Sequence, residues 1–523
     1  MATFGLELES ARQLSAMELY GDWYRDPWGW PEVLTVEFVA KLDAEGHLGI
    51  DKRSVSTSLD PFFHRMEVPK SYLGVRPAVV QDPMSRLAYN AAVLKGVGTL
   101  HSDLPTWVYG WRLRDDKISK NKREWAAYVE SLPTVDDDGH GLVTDITSFF
   151  ASIELDRLLE IVGAAAGKTI PREIIAAVVD AHSRMLGRSG LPQRSFASAI
   201  LANCYLQPID DALNAAIGNW DLDIVGVRRW MDDISAEGPE ESLYGLLLEL
   251  QDRARHIGLE LNSAKTHLTD ASETAKDLRS ETLNTIEVEF RKMKLSEYTD
   301  EEVDVAVNAD VLTSLEREIL DNPDGFGRPV IRSVLHSLTE YGIFDNSAEW
   351  RRIAHRVPHV ADNLGRYLRG SMDAAWFGSE VTDCVNWFTE YVASTWGRQN
   401  WVTSQFALAF DDNTSPRVRE VLARWLDSST DLQQVAIAAE RMSAMDQSYA
   451  RYVMRSRADG TSDPLLLRVF ALGLLRTKAD RGTVAAVLER DKRNGLLAHY
   501  LETRNWEPPP VAGDFGGSDD APG

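Results

Sequence analysis

The sequence predicts an α+β fold in which a split β-α-β-β-α-β unit is followed by an all-α half. Three observations predict it. Strand and helix signals alternate from Gly141 to Leu268, with two short strand-like runs flanking Asp232-Asp233 as a tight hairpin. From about Asp300 to Trp506 the pattern changes to helix after helix. A chain of 523 residues is also too long for one ordinary core, so two or three domains are expected.

The bulk composition narrows the class. No run approaches the roughly 18 apolar residues of a membrane span. The start, Met1-Ala2-Thr3-Phe4-Gly5-Leu6-Glu7, has no basic stretch leading into an apolar one, so no secretory signal is expected. Cys204 and Cys384 are the only cysteines, which leaves neither a disulfide framework nor a Cys-based zinc site. A cytoplasmic protein without membrane attachment is expected. The net charge of −24 argues against nucleic acid as a partner if it is spread evenly. One run is locally basic, however: Arg112, Arg114, Lys117, Lys120, Lys122 and Arg123, with Trp111 and Trp125 beside it.

In chain order, the Trp-rich piece Asp22 to Pro31 reads as packed, irregular core. Val68 to Val80 reads as strand, and Asp82-Pro83 as the start of a helix from about Ser85 to Leu94. Arg76 on that strand could clamp a triphosphate with its planar fork. The acidic run Asp136-Asp137-Asp138-Gly139 reads as a solvated turn. Gly141 to Thr144 is a short apolar strand with Asp145 at its end, followed by helices near Glu154 and Pro171. Gly190-Leu191-Pro192-Gln193 is a turn feeding a helix that carries the small residues Ala197, Ser198 and Ala202. Glu240 to Ile257 has helical spacing, and Gly258 to Leu268 a helix stop and a strand. In a split β-α-β-β-α-β unit the first strand and the hairpin are neighbours, so Asp145 is expected beside Asp232 and Asp233. Three carboxylates on two adjacent elements can hold hard cations.

In the C-terminal half, helices are expected near 303–320, 328–342, 380–394, 416–427, 432–445, 464–476 and 481–490. Ser415-Pro416 and Asp463-Pro464 are N-cap and N1 pairs, and Thr430 with Gln433 fits a capping box. The spacing suits an α-solenoid of HEAT type or a plain helical bundle. The tail from Glu507 is rich in Pro, Gly and Asp and is expected to be disordered. The expected domains are 1–130, 131–290 and 291–506, with 507–523 as the tail.

Taken together, residues 60 to 270 resemble the fingers and palm of a reverse transcriptase. Asp145-Ile146-Thr147-Ser148-Phe149-Phe150 is similar to its first catalytic motif. Gly190 to Gln193 with Ser198 and Leu201 to Leu206 resembles the second, and Trp230-Met231-Asp232-Asp233 the aromatic-x-Asp-Asp third. Gly258 to Asn262 with Lys265-Thr266 resembles the fourth, and Arg76 to Arg86 the fingers segment. Arg194 stands where the family usually has glycine, and Trp230 where it has Tyr or Phe. The helical half makes the chain resemble the bacterial abortive-infection reverse transcriptases of phage defence, which carry helical-repeat domains and form oligomers. Some of these synthesise DNA without a conventional template or from a protein primer.

The resemblance implies a right-hand polymerase that adds dNTPs on an RNA template, giving a DNA product, and forms a homo-oligomer. It implies two Mg²⁺, with Mn²⁺ as a substitute, held by Asp145, Asp232 and Asp233. It implies Phe150 as the gate against a ribose 2′-hydroxyl, Gln193 at the template-nucleotide pair, Arg76 at the triphosphate and Lys265 at the leaving pyrophosphate. If priming is by protein, Tyr341, Tyr367, Tyr391, Tyr449 and Tyr452 are candidates by residue type and region. Two other readings are an RNA-dependent RNA polymerase, which the bulk of Phe150 opposes, and a degenerate polymerase scaffold acting as a nucleic-acid or protein-binding defence module.

Overall fold

The computed structural model describes residues 6–20, 23–70, 74–114, 117–119, 121–132, 139–167, 169–219, 222–270, 306–375, 378–411 and 415–512. The acidic run at 136–138 and most of the C-terminal tail lie outside them. The chain divides into two compact units. One comprises Met1–Asp22, Trp30–Phe63 and Gln81–Arg279, the other Trp23–Gly29, His64–Val80 and Ser280–Gly523. The boundary expected near residue 130 falls inside the first unit, and the strand bearing Arg76 belongs to the second.

A five-stranded sheet organises the first unit. Its strands are β1 (Val108–Tyr109), β2 (His140–Thr144), β3 (Gly226–Trp230), β4 (Asp233–Gly238) and β5 (His267–Asp270), in the spatial order β5-β2-β4-β3-β1. Four of these strands give the arrangement expected of the split unit, with the β3-β4 hairpin against β2. The two-residue strand β1 adds a parallel edge, pairing Tyr109 with Trp230. Leu142 on central β2 and Ile234 and Ala236 on β4 are buried.

Around the sheet stand α1 (Leu8–Tyr20), α2 (Pro83–Ser102), α3 (Asn121–Glu130), α4 (Leu155–Ala166), α5 (Ile170–Ser183), α6 (Phe196–Tyr205), α7 (Gln207–Ile217) and α8 (Glu240–His256). Helix α2 starts as expected: the Asp82 carboxylate accepts the Ser85 amide at 3.0 Å, and Pro83 sits in the first turn. It runs on to Ser102, because Leu87, Ala88, Ala91, Ala92 and Val97 are all buried. Helix α6 is buried on every side. Its start is held by the buried Glu18 carboxylate, which accepts the Phe196 amide at 2.5 Å and the Ser195 hydroxyl at 3.2 Å.

Among the described residues of the second unit, all seven expected C-terminal helices are present, with further helices at Ser347–Ile353, Ala361–Ala374, Asn400–Ala407, Gln447–Gly460 and Gly495–Thr503. Packing alternates. Arg328–Tyr341, Ala361–Ala374, Asn400–Ala407, Leu432–Met445 and Pro464–Arg476 form one row, each touching the next. Ser379–Ala393, Pro416–Ser428, Gln447–Gly460 and Arg481–Leu488 form a second row. The proline caps hold: Ser415 accepts the Val418 amide, and Asp463 those of Leu465 and Leu466. The capping box does not. Asp431, rather than Thr430, caps the Gln434 amide at 3.0 Å. Gln433 is instead buried and exchanges two hydrogen bonds with the Arg25 backbone, at 2.6 and 2.8 Å.

That contact belongs to the docking of 23–29 onto the helical rows of the same unit, which explains the Trp-rich piece as core. Trp401 donates to the Trp23 carbonyl at 2.9 Å. Arg468 grips Asp26 through two nitrogens at 2.9 and 3.0 Å, both side chains being fully buried. Removing one partner strands the other charge without water. Arg468→Met is therefore expected to cost about 3–5 kcal/mol of stability. Denaturant unfolding checks this, and the double variant Asp26→Asn/Arg468→Met should recover much of the loss.

Of the tyrosines considered as primers, Tyr367 and Tyr391 are core residues of this unit, which removes them as accessible hydroxyls in the folded chain. Tyr452 is 74% exposed. Among the described residues no helix is long and apolar enough to cross a membrane.

Candidate active site

The site is built where β2 ends and the β3-β4 hairpin turns. Strand β2 stops at Thr144, and Asp145 follows, nearly buried. Its backbone stays tied across the sheet: the Asn262 amide donates to the Asp145 carbonyl at 2.7 Å, and the Thr147 amide to the Glu260 carbonyl at 2.9 Å. The Asn262 side chain also reaches the Asp145 carboxylate, at 3.5 Å. Asn262 thus fixes Asp145 from two directions.

The hairpin pairs Trp230 with Asp233, leaving Met231-Asp232 as a two-residue turn. Such turns need a positive φ at the first central position, where glycine is usual. Here Met231 takes φ +56°, at a cost of roughly 1–2 kcal/mol for an L-residue. Two features offset it. The Met231 side chain is buried, and its carbonyl accepts from Arg229 Nη1 at 3.0 Å. Arg229 is itself fully buried and bound to Asp210 through two bonds of 2.7 Å and to Asn203 Oδ1 at 2.9 Å. An arginine under the hairpin thereby sets where Asp232 projects. Nothing local in the sequence marks it, because its partners lie 19 and 26 residues away.

The structure brings three of the expected groups into one electrostatic cluster and a fourth onto it. Burial, then the charges of Asp233 and Asp145, raise the pKa of Asp232 to about 7, and an Asp145–Asp232 side-chain hydrogen bond contributes. Asp233 presents much of its surface at the turn, yet the protein packed about its carboxyl and the Asp145 charge lift it to about 6. Lys265 Nζ lies 2.6 Å from Asp145 Oδ2 with its side chain 60% exposed. Burial works against its charge, but the bond to Asp145 and the charges of Asp145, Asp233 and Asp232 outweigh that and raise its pKa.

Among the described residues no group of three or more His, Cys, Asp or Glu is gathered with metal-ligand geometry. The ammonium of Lys265 is the cation found on Asp145. The donor set nonetheless fits a hard cation: oxygen ligands only, and two carboxyls whose pKa values are raised by burial first and by neighbouring carboxylates second.

Five residues after Asp145, Phe150 lies partly exposed, its ring 5.4 Å from the buried Phe149 ring. Its carbonyl accepts the Leu191 amide at 2.8 Å, and the Ser189 hydroxyl donates to the Ala151 carbonyl at 2.9 Å. The first and second motifs are therefore laced together. Gly190 is required there: its φ is +59°, and a Cβ would stand 2.0 Å from the Phe150 carbonyl oxygen. Gln193 is partly exposed on the same turn. Arg194 is exposed with φ +64°, the backbone region that glycine favours.

Trp230 is accommodated rather than strained. It packs edge-on against Trp111 at 5.6 Å and Trp125 at 5.1 Å, and against Tyr128 at 5.9 Å. Gly110 leaves it room, since a Cβ there would lie 3.2 Å from the indole.

One expectation changes. Arg112, read as part of a basic channel, is an internal staple that donates to the carbonyls of Leu104, Pro105 and Val108. Arg123 is exposed, and the side chains of Arg114, Lys117, Lys120 and Lys122 lie outside the description. Arg76, expected at the triphosphate, lies in the second unit on the strand Val75–Gln81. There it adds to the positive field on Arg328, whose pKa is depressed by burial and by Arg332 and Arg76, against the pull of Asp362.

A strand-end carboxyl thus stands beside a carboxyl-bearing hairpin, on a sheet of split β-α-β-β-α-β order. The family model of the reverse transcriptase (RNA-dependent DNA polymerase) matches residues 69–290. The match spans less than half of the chain and is to a family whose domain implies a fingers-and-palm fold, a nucleic-acid template and dNTP substrates. No curated protein matches the chain.

Proposed function

We propose that the chain is an active RNA-directed DNA polymerase, adding dNTPs to a growing DNA strand at the β2 end and the hairpin. The observation that carries this is the grouping of Asp145, Asp232, Asp233 and Lys265, with Lys265 on Asp145 and with Asp232 and Asp233 raised by burial and by the neighbouring carboxylates. Asp145, Asp232 and Asp233 would hold two Mg²⁺, or Mn²⁺ in their place. Bound there, the cations would supply Lewis acidity to the primer hydroxyl, the α-phosphate and the leaving oxygen.

The remaining work falls to this chain's own groups. Lys265, whose ammonium lies against Asp145, would give its proton to the departing pyrophosphate. Phe150 closes the space where a ribose 2′-hydroxyl would sit, and Gln193 lies on the turn laced to it. Arg76 is assigned to the triphosphate on the family resemblance alone.

The helical rows of the second unit support a HEAT-like array. Together with the palm they favour a role in phage defence by a cytoplasmic homo-oligomer, with untemplated or protein-primed synthesis as one mode. Tyr452 is the most accessible of the tyrosines considered for priming.

The test is incorporation by the purified chain with dNTPs or NTPs, on RNA, DNA or no template, followed by sequencing of any nucleic acid bound or covalently attached. Phe150→Ala is expected to improve ribonucleotide use relative to dNTPs by roughly 10- to 100-fold, the scale of a steric pocket effect. Unchanged discrimination would remove the gate role. Failure to incorporate any nucleotide under every template condition would overturn the polymerase reading.

A further inference from the structure

The aromatic groups around Trp230 have no task in nucleotide transfer, and they end in open solvent. Trp125, on α3, stacks on Tyr128 with ring centres 5.4 Å apart and planes 30° apart, and meets Trp230 edge-on at 5.1 Å. Tyr128 is buried with Tyr109 and Leu132 and meets the Tyr109 ring edge-on at 5.6 Å, so the backing is fixed. Trp125 nevertheless remains 45% exposed, and Trp111 and Trp230 are partly exposed beside it. Single exposed apolar residues are ordinary, whereas three contiguous indoles are a patch that marks a binding surface. Arg123, exposed two residues before Trp125, adds positive charge on the same helix.

We propose that Trp125, with Trp111 and Trp230, forms a ledge on which a base of an unpaired nucleic-acid strand stacks beside the catalytic hairpin. This rests on the polymerase reading above. The occupant follows from position and chemistry. Trp230 directly precedes the Met231-Asp232 turn, so a strand whose end reaches Asp232 passes the ledge. A nucleobase offers a flat π-face to an indole. A strand within a duplex keeps its bases stacked on one another, so an unpaired strand is the better match. Stacking of this kind tolerates any sequence.

The test is fluorescence anisotropy of the full chain with a labelled oligothymidylate and with an all-abasic strand of equal length. The wild type is expected to bind the base-bearing strand more tightly. Trp125→Ala should weaken that binding roughly 5- to 100-fold and leave the abasic strand unaffected. Trp125→Phe should retain most of the affinity, and the melting temperature of Trp125→Ala should stay near wild type. Equal binding of both strands by wild type and Trp125→Ala, in a preparation that still elongates DNA, overturns the ledge alone. Loss of both strands together with a large fall in melting temperature assigns Trp125 to core packing and also overturns it. A wild type that binds neither strand and elongates nothing overturns the ledge and the polymerase reading together.

Discussion

Asp232→Asn is expected to abolish dNTP incorporation while stabilising the metal-free protein above pH 7. The two effects share a cause. Asp232 is crowded by burial and by Asp233 and Asp145, which lifts its pKa from the usual 3.8 to about 7. A carboxyl raised on folding binds its proton more tightly in the folded chain. Its contribution to stability is full below 3.8 and is lost as pH rises through 7. Asparagine cannot ionise and escapes that loss. Thermal unfolding at pH 8 in a chelator should show it, since a unit of this size gains about 2–4 °C per kcal/mol. Added Mg²⁺ should then raise the melting temperature of the wild type, by binding only the folded site, and leave the variant nearly unmoved. Incorporation should fall by at least roughly 10³-fold, the scale on which an electrostatic group at a reacting centre acts. A variant that is merely misfolded would lose activity and stability together, so the opposite signs separate a functional carboxyl from a structural one. Asp145→Ala should likewise silence incorporation. Near-normal incorporation by either variant sinks the assignment.

Arg229→Ala is expected to damage fold and activity at once. Asp210 is buried with Arg229 as its bidentate partner; burial raises its pKa, and Arg229 opposes that rise. Without the guanidinium, Asp210, Asn203 Oδ1 and the Met231 carbonyl all lose a donor. Breaking one side of a buried pair costs about 3–5 kcal/mol, or about 6–20 °C of melting temperature for a unit of this size. Neutralising both partners separates the two roles. Arg229→Met with Asp210→Asn should recover much of the stability, because no charge is stranded. It should leave incorporation depressed, because the left-handed Met231 has lost the bond that holds it. Full recovery of both would show that Arg229 serves packing alone. Arg229→Lys keeps the charge but not the fork, and should fall short of wild type in both measurements.

Features legible in the sequence were those carried by short-range pattern. Asp82-Pro83, Ser415-Pro416 and Asp463-Pro464 each join a capping side chain to a proline that cannot use its missing amide, and each starts a helix. Asp145 could be placed beside the hairpin because strand-helix alternation restricts how such a sheet is ordered. Features that escaped have no local period. Strand β1 is two residues long, too short to show alternation, so the parallel edge beside Trp230 went unseen. Asn262 was visible within the fourth motif, but its double hold on Asp145 depends on a bridge between residues more than 100 apart. Gln193 and Phe150 were named from resemblance, and only the Gly190 turn shows how their two segments are tied together. Thr430 looked like a cap because its spacing was right, yet Asp431 is the better-placed acceptor.

The clasp between Asp26 and Arg468 also has a consequence for how the molecule is made. The two residues are 442 positions apart. During synthesis at 5–20 residues per second, Asp26 waits roughly 20–90 s for its partner to leave the ribosome. Over that interval Trp23, Trp28 and an unpaired aspartate have no helical rows to dock on, while nearly the whole of the first unit is complete in sequence. The second unit closes last and takes its earliest-made piece with it. A nascent chain stalled before residue 468 should therefore leave 23–29 open to protease and bound by chaperones, and release past that point should protect it.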